Sequence, residues 1–232
     1  MLGKKDFGNK LSNNSHIQKT LTTKDYRRLR EDAEIVSNDP FGDKVFLLPY
    51  GNYLKLFRVK RFLSSARLWP YSKRFAYNAK RLNARDIIVP KIIEIYQIPS
   101  IGRSAVIYRS LQGRTLREVR SAIDAKTIRC LGSLYRGPHQ NQFNNRSLHL
   151  GNIIQLGNQK LGLIDTADLS AYQCSLPKRL RLRNYRHLRR YENDRRVVAE
   201  YRDDFVPGLS STDSAYVRKL SNAKAINCIP ES

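Results

Sequence analysis

Apolar positions between Ala33 and Arg58 come in short runs with turn-forming residues between them. Lys44-Val45-Phe46-Leu47-Leu48 and Tyr53-Leu54-Lys55-Leu56-Phe57 flank Pro49-Tyr50-Gly51-Asn52, which predicts a β-hairpin. Asp39-Pro40-Phe41-Gly42-Asp43 marks an earlier turn, joining a strand near residues 33–36 to the next, so the region is expected to open with three antiparallel strands. Ahead of them, residues 1–22 are polar and rich in Asn, Ser and Lys, as in a mobile leader. The stretch from Asp25 to Glu34 reads as a short charged helix.

Pro70 suits the opening turn of a helix, where its missing N–H would have no partner in any case. Phe75, Asn78, Ala79 and Leu82 then line one helical stripe. Ile87 to Tyr96 is apolar and β-branched, interrupted by Pro90, and residues 105–108 predict a short buried strand ended by Leu111-Gln112-Gly113. Thr115 with Glu118 has the spacing of a capping box and predicts a helix through Val119. A further helix is expected over residues 125–135, stopped by Gly137-Pro138. Residues 153–156 and 161–164, around Gly157-Asn158, predict a second hairpin. From Pro177 the pattern is helical and thins into a polar tail after Leu209. Strands first and helices after predict an α+β fold of two unequal lobes. A small antiparallel-sheet lobe would occupy residues 23–108 and a helical lobe residues 109–209, between the leader 1–22 and a tail 210–232.

Charge narrows the partners. Lys and Arg number 43 against 20 Asp and Glu, a net charge of +23, which favours phosphate-bearing partners: nucleic acid, an anionic membrane face or an anionic glycan. The segment from Lys178 to Arg196 concentrates arginines beside Leu180, Leu182, Leu188 and Tyr191. It reads either as the solvated face of a helix or as a dock for anionic lipid or glycan phosphates through bidentate arginines. No RRM, KH or zinc-knuckle pattern occurs, which counts against RNA. Cys130, Cys174 and Cys228 are widely spaced and form no metal-ligand cluster, as expected in a reducing cytoplasm. Lys4, Lys5 and Lys10 have no apolar stretch behind them, unlike a secretory signal. No run approaches the roughly 18 apolar residues of a membrane span. The expectation is a cytoplasmic protein, drawn by charge to the inner-membrane surface.

The candidate chemistry lies in Asn145-Arg146-Ser147-Leu148-His149-Leu150-Gly151-Asn152 and, after a short gap, Leu163-Ile164-Asp165. Phosphoryl transfer needs charge around the phosphates, a metal held by oxygen ligands and an oriented acceptor hydroxyl. A hairpin between Asn152 and Asp165 would return the second oxygen ligand beside the first, a pair suited to Mg²⁺. Lys55, mid-strand on the last of the three strands, is placed to meet ATP phosphates, and Leu111 follows the strand that would receive the nucleotide base. Gly42 occupies the place of a Gly-rich phosphate loop, but no G-x-G-x-x-G is present and a turn residue accounts for it. Ser147 stands five residues before Asn152, where a kinase keeps its catalytic Asp. A serine does not act as a general base unless another group takes its proton. His149 is a candidate for that role, or else a structural anchor of the loop; Asp168 is a second candidate base, or a cap.

These segments resemble the lipopolysaccharide kinase (Kdo/WaaP, InaA-like) family, and within it the subgroup called toluene tolerance proteins. The resemblance rests on Leu54-Lys55-Leu56-Phe57-Arg58, Phe62-Leu63-Ser64-Ser65-Ala66, Arg74-Phe75, Asn78-Ala79, Arg81-Leu82, Leu111-Gln112-Gly113-Arg114-Thr115-Leu116-Arg117, the Arg146–Asn152 string and Leu163-Ile164-Asp165. It spans roughly residues 30–200, and the Arg146–Asn152 string is its most diagnostic part. It implies a protein-kinase-like bilobal fold, ATP and Mg²⁺ as ligands, and a role at the cell envelope. In the family's sugar kinases the acceptor is a hydroxyl of the lipopolysaccharide core. Carried over by position, Lys55 would contact the α/β-phosphates, and Asn152 and Asp165 would hold the metal.

The sequence departs from the pattern in four places. Ser147 replaces the Asp, a serine that the subgroup shares. No acidic residue falls at the Lys-pairing position of the helix after Pro70, where Asn78 is nearest. Thr166-Ala167 follows Asp165 in place of Phe-Gly. Gly137-Pro138 and Asn144-Asn145 precede the loop, where a more apolar approach is usual. Two readings follow: a transferase with a degenerate catalytic loop, or a pseudokinase that serves as an interaction module without phosphotransfer.

Overall fold

A computed structural model describes residues 17–58, 69–140, 143–145, 148–157, 160–171, 179, 180, 183, 185, 188, 190–205 and 214. The fold is α+β, with a mixed six-stranded sheet and several helices. The chain divides into two compact units, Met1–Ala84 with Val89–Ser110 and Arg85–Ile88 with Leu111–Ser232.

In the first unit the sheet runs β1-β5-β6-β4-β3-β2. Its strands are β1 (Gln18–Thr20), β2 (Glu34–Asp39), β3 (Gly42–Leu47), β4 (Tyr53–Arg58), β5 (Lys91–Ile98) and β6 (Arg103–Arg109). The antiparallel meander β2–β3–β4 forms as the pattern predicts, with Phe46 opposite Leu54 and Val45 opposite Lys55. Period-two alternation sorts the side chains. Leu54, Leu56, Ala105 and Ile107 enter a core with Leu21, Tyr26, Phe46 and Ile98. Lys55, Phe57 and Tyr108 meet α2 (Tyr71–Asn83) through Phe75. Helix α1 (Thr23–Arg30) is capped by Thr22, whose Oγ1 accepts from the Asp25 amide at 3.1 Å. Its last residue, Arg30, reaches Asp43 at 2.9 Å.

Two expectations are corrected here. The sheet is mixed rather than antiparallel, because β1 pairs in parallel with β5, Gln18 opposite Ile95. That strand lies inside the stretch expected to be a mobile leader. It is held by backbone pairing and by the ion pair of Lys19 with Glu94 at 2.5 Å, which hydrophobic pattern does not reveal. Residues 1–16 lie outside the described residues.

In the second unit β7 (Gly113–Thr115), β9 (Ile153–Leu156) and β10 (Leu161–Leu163) form a sheet of order β10-β9-β7, and β8 (Phe143–Asn145) pairs with β11 (Leu169–Ala171). The hairpin β9–β10 takes the predicted place, with Ile154 opposite Gly162. The Thr115–Glu118 capping box also forms: Glu118 takes the Thr115 amide at 2.7 Å while Thr115 Oγ1 takes the Glu118 amide at 3.2 Å. Those bonds hold the Glu118 carboxyl below its ordinary pKa. No α-helix follows it, however. A turn leads to a short 3-10 helix at Arg120–Ala122, because Thr115 is already committed to pairing with Ile154.

Helix α3 (Ala125–Gln140) runs through Gly137 and Pro138 instead of stopping before them. Proline removes one donor near the helix end, a loss that does not force termination where tertiary packing supports the preceding turns. Tyr135 supplies that packing. It is fully enclosed, stacked on Tyr185 at 5.7 Å and set edge-on to Phe205, and its hydroxyl donates to the Leu148 carbonyl at 2.9 Å.

Candidate functional site

In the first unit, β4 places Lys55 on the α2 side of the sheet, 8% exposed. Its ammonium lies 5.4 Å from the Phe57 ring centroid and 5.1 Å from that of Phe75. Ring faces carry negative charge and attract a cation most strongly where water is excluded. Asn78, one helical turn beyond Phe75, is buried on the same helix.

Gly42, at φ +103°, opens β3 at the tip of the β2–β3 hairpin, a conformation that favours glycine. Arg103 donates to the Phe41 carbonyl at 2.5 Å and to the Asp43 carbonyl at 2.9 Å, and Arg58 lies over the Phe41 ring at 3.3 Å. The turn reading accounts for Gly42, and arginines line the hairpin tip.

In the second unit, the loop from Leu148 to Asn152 is held at several points. The Asn152 amide donates to the His149 carbonyl at 2.9 Å, and the Ile164 amide donates to the Asn152 carbonyl at 3.0 Å. That second bond sets Asp165 one residue beyond the partner of Asn152. Asp165 is half-buried, and its Oδ1 accepts from the Ala167 amide at 3.3 Å. His149 packs edge-on against Tyr191 with ring centroids 5.1 Å apart, and its buried Nδ1 has no hydrogen-bond partner among the described residues. Burial is the main influence lowering the His149 pKa, the charge of Arg117 adds to it, and Asp194 and Asp165 oppose it. Leu111 rests on the sheet, so that a Cβ added at Gly162 would come within 2.4 Å of its Cδ1.

Arg117 and Asp194 received no role from the sequence. Asp194, 1% exposed, accepts from Arg117 Nε at 3.2 Å and Nη2 at 2.8 Å, and from the Leu150 amide at 3.1 Å. Arg117 in turn lies over the Tyr191 ring at 4.3 Å. A Cβ at Gly151 would lie 3.0 Å from the Arg117 guanidinium, so the arginine crosses close over the loop there. The available signal was a carboxylate placed within the strongly basic run from Lys178 to Arg196.

The structure therefore brings His149, Asn152 and Asp165 into one loop cluster, with Arg117 and Asp194 bracing it. Lys55 and Gly42 belong to the other unit. Ser147 lies outside the described residues, as do Lys178, Arg181, Arg186 and Arg189 of the basic segment. Asp168 is half-buried on the turn before β11.

Among the described residues no group of three or more His, Cys, Asp and Glu is placed to hold a metal ion. One amide and one carboxylate fit Mg²⁺ nonetheless, since that ion keeps several waters and takes substrate phosphates beside one or two carboxylates. No protein-family model and no curated protein matches this chain. Among the described residues no helix is long and apolar enough to cross a membrane.

Proposed function

We propose that the chain is a kinase-like protein of the lipopolysaccharide kinase type, with a bilobal fold, that binds ATP with Mg²⁺. Its acceptor is a hydroxyl of a lipopolysaccharide-core sugar or another envelope glycan, in a cytoplasmic protein tied to envelope or solvent tolerance. The observation that carries this reading is the pairing of the Ile164 amide with the Asn152 carbonyl at 3.0 Å, which fastens the segment after β10 that bears Asp165 to the loop bearing Asn152. When bound, Mg²⁺ neutralises charge on the transferring phosphate. Asn152 and Asp165 would supply its oxygen ligands, Lys55 the contact to the α/β-phosphates and Leu111 a wall for the base. His149 would accept the acceptor proton that Ser147 does not take.

A second reading, a pseudokinase that binds partners without phosphotransfer, is favoured by Ser147 in place of Asp and by Asn78 in place of an acidic residue. Thermal denaturation with and without ATP–Mg²⁺ tests the nucleotide site. The wild-type midpoint is expected to rise and that of Asp165→Ala to stay put. An equal rise in both would remove Asp165 from the metal site, and no rise in wild type would end the kinase reading and leave only a nucleotide-independent interaction module. Phosphate transfer to purified lipopolysaccharide core then separates enzyme from pseudokinase.

A further inference from the structure

Helix α2 buries Ser72, Phe75, Ala79 and Leu82 on one side. Its outer side presents Lys73, Arg74, Tyr77, Lys80 and Arg81, with no acidic residue anywhere in the helix. At 3.6 residues per turn, Tyr77 lies at the centre of that side, with Lys73 and Lys80 to one flank and Arg74 and Arg81 to the other. Trp69, just before the helix, is 46% exposed, as is Tyr77, and the two rings meet edge-to-face with centroids 5.7 Å apart. The Arg81 guanidinium lies 5.5 Å from the Tyr77 centroid. The face thus carries an exposed aromatic pair flanked by Lys73, Arg74, Lys80 and Arg81 on a helix without an acidic residue.

We propose that this face of α2 docks on an anionic lipid bilayer. Trp and Tyr gain most at the boundary between headgroups and acyl chains, where the ring is desolvated and its polar end stays wet. Lys and Arg extend their heads to lipid phosphates while their methylenes cover apolar surface. A helix with these two elements on one face lies flat in the interface rather than crossing it. The edge-to-face packing of Trp69 on Tyr77 covers one ring face, which leaves less surface for the stacked bases of single-stranded nucleic acid. The face is independent of the kinase reading, and it is distinct from the basic segment between Lys178 and Arg196.

Trp69 is the only tryptophan in the chain, so its fluorescence reports on this face alone. With the full chain, vesicles of phosphatidylglycerol and phosphatidylcholine are expected to shift Trp69 emission to the blue and shield it from acrylamide. Phosphatidylcholine alone should do neither. Lys73→Gln combined with Lys80→Gln should weaken vesicle binding by about 25-fold, because each basic side chain near an anionic membrane contributes about fivefold. Co-sedimentation with anionic vesicles at unchanged Trp69 emission would show that another basic surface binds, and would overturn the proposal. So would an emission change with single-stranded RNA and none with vesicles, or no vesicle binding at all. The wild-type titration decides between these outcomes even if the double variant fails to fold.

Discussion

Asp194 holds Arg117 with both carboxylate oxygens, at 3.2 and 2.8 Å, and uses the second of them again to take the Leu150 amide at 3.1 Å. Their hydrogen bond is also the main cause raising the Arg117 pKa. One buried carboxylate thus ties a turn after β7, the loop before β9 and the helix Glu192–Glu200. Removing one partner of a buried ion pair costs about 3–5 kcal/mol, because the other is left uncompensated. The Arg117 side chain is 38% exposed and regains water, which places Asp194→Ala near the low end, about 3 kcal/mol. The shift in urea midpoint measures it, and a loss under about 1 kcal/mol would mean that the anchor is not structural.

Gly113 tolerates no side chain. A Cβ there would lie 2.1 Å from the Gln155 carbonyl oxygen and 2.8 Å from Ile154 Cγ2, at the first pair of the β7–β9 register. Overpacking typically costs about 1–3 kcal/mol, and a clash with backbone, which yields less than a side chain, belongs at or above the top of that range. Gly113→Ala should also lose hydrogen-exchange protection at the Leu116 amide, which donates to Ile153 at 2.9 Å. Unchanged protection there would contradict the register.

His149 makes stability depend on pH in a defined direction. Its pKa in the folded chain lies below the ordinary 6.5, chiefly because burial disfavours the imidazolium. Below pH 6.5 the unfolded chain therefore binds a proton that the folded chain does not, and stability falls with pH until the folded pKa is passed. Above that window this histidine contributes no slope. Melting midpoints recorded from neutral to mildly acidic pH should drop less in His149→Gln than in wild type. Parallel curves for the two proteins would show that the ring titrates as it does in water.

What was legible in the sequence follows from what periodicity encodes. Leu54 and Leu56 against Lys55 and Phe57 reveal both faces of β4, and the stripe Phe75, Ala79, Leu82 reveals α2, because burial on one side imposes a period. β1 carries no such pattern: Gln18, Lys19 and Thr20 are polar and form an edge strand through backbone bonds and the polar contacts of Gln18 and Lys19. The loop cluster was legible where a hairpin returns Asp165 to Asn152, a local geometry. The clamp of Arg117 on Asp194 joins residues 77 apart, and no spacing rule announces it. Thr115 and Glu118 show the limit from the other side, since their capping box forms and the helix it usually announces does not.

Ser147→Asp separates a weakened enzyme from a binding module. General acid–base groups typically contribute about 10²–10⁴-fold. If Asn152, Asp165 and Lys55 already position ATP and only the base is missing, restoring a carboxylate should raise phosphate release or transfer within that range. Binding of ATP–Mg²⁺ should change little, since Ser147 is not among the assigned ligands. Unchanged turnover at unchanged binding would favour the pseudokinase reading. A gain in Ser147→Asp that is insensitive to a further His149→Gln change would assign the proton to residue 147 alone.

Lys55→Met tests the phosphate contact with the least disturbance to the fold. Methionine keeps the unbranched length of lysine between Phe57 and Phe75, and its thioether packs well beside aromatic rings. Burial of an ammonium carries a desolvation cost that the substitution removes, which offsets the lost cation–ring attraction. The response to ATP–Mg²⁺ should fall away, because a thioether gives phosphate oxygens neither charge nor donor. A variant that melts like wild type and still gains the full ATP–Mg²⁺ shift would leave Lys55 a packing residue, and the phosphate contact would have to come from another cation.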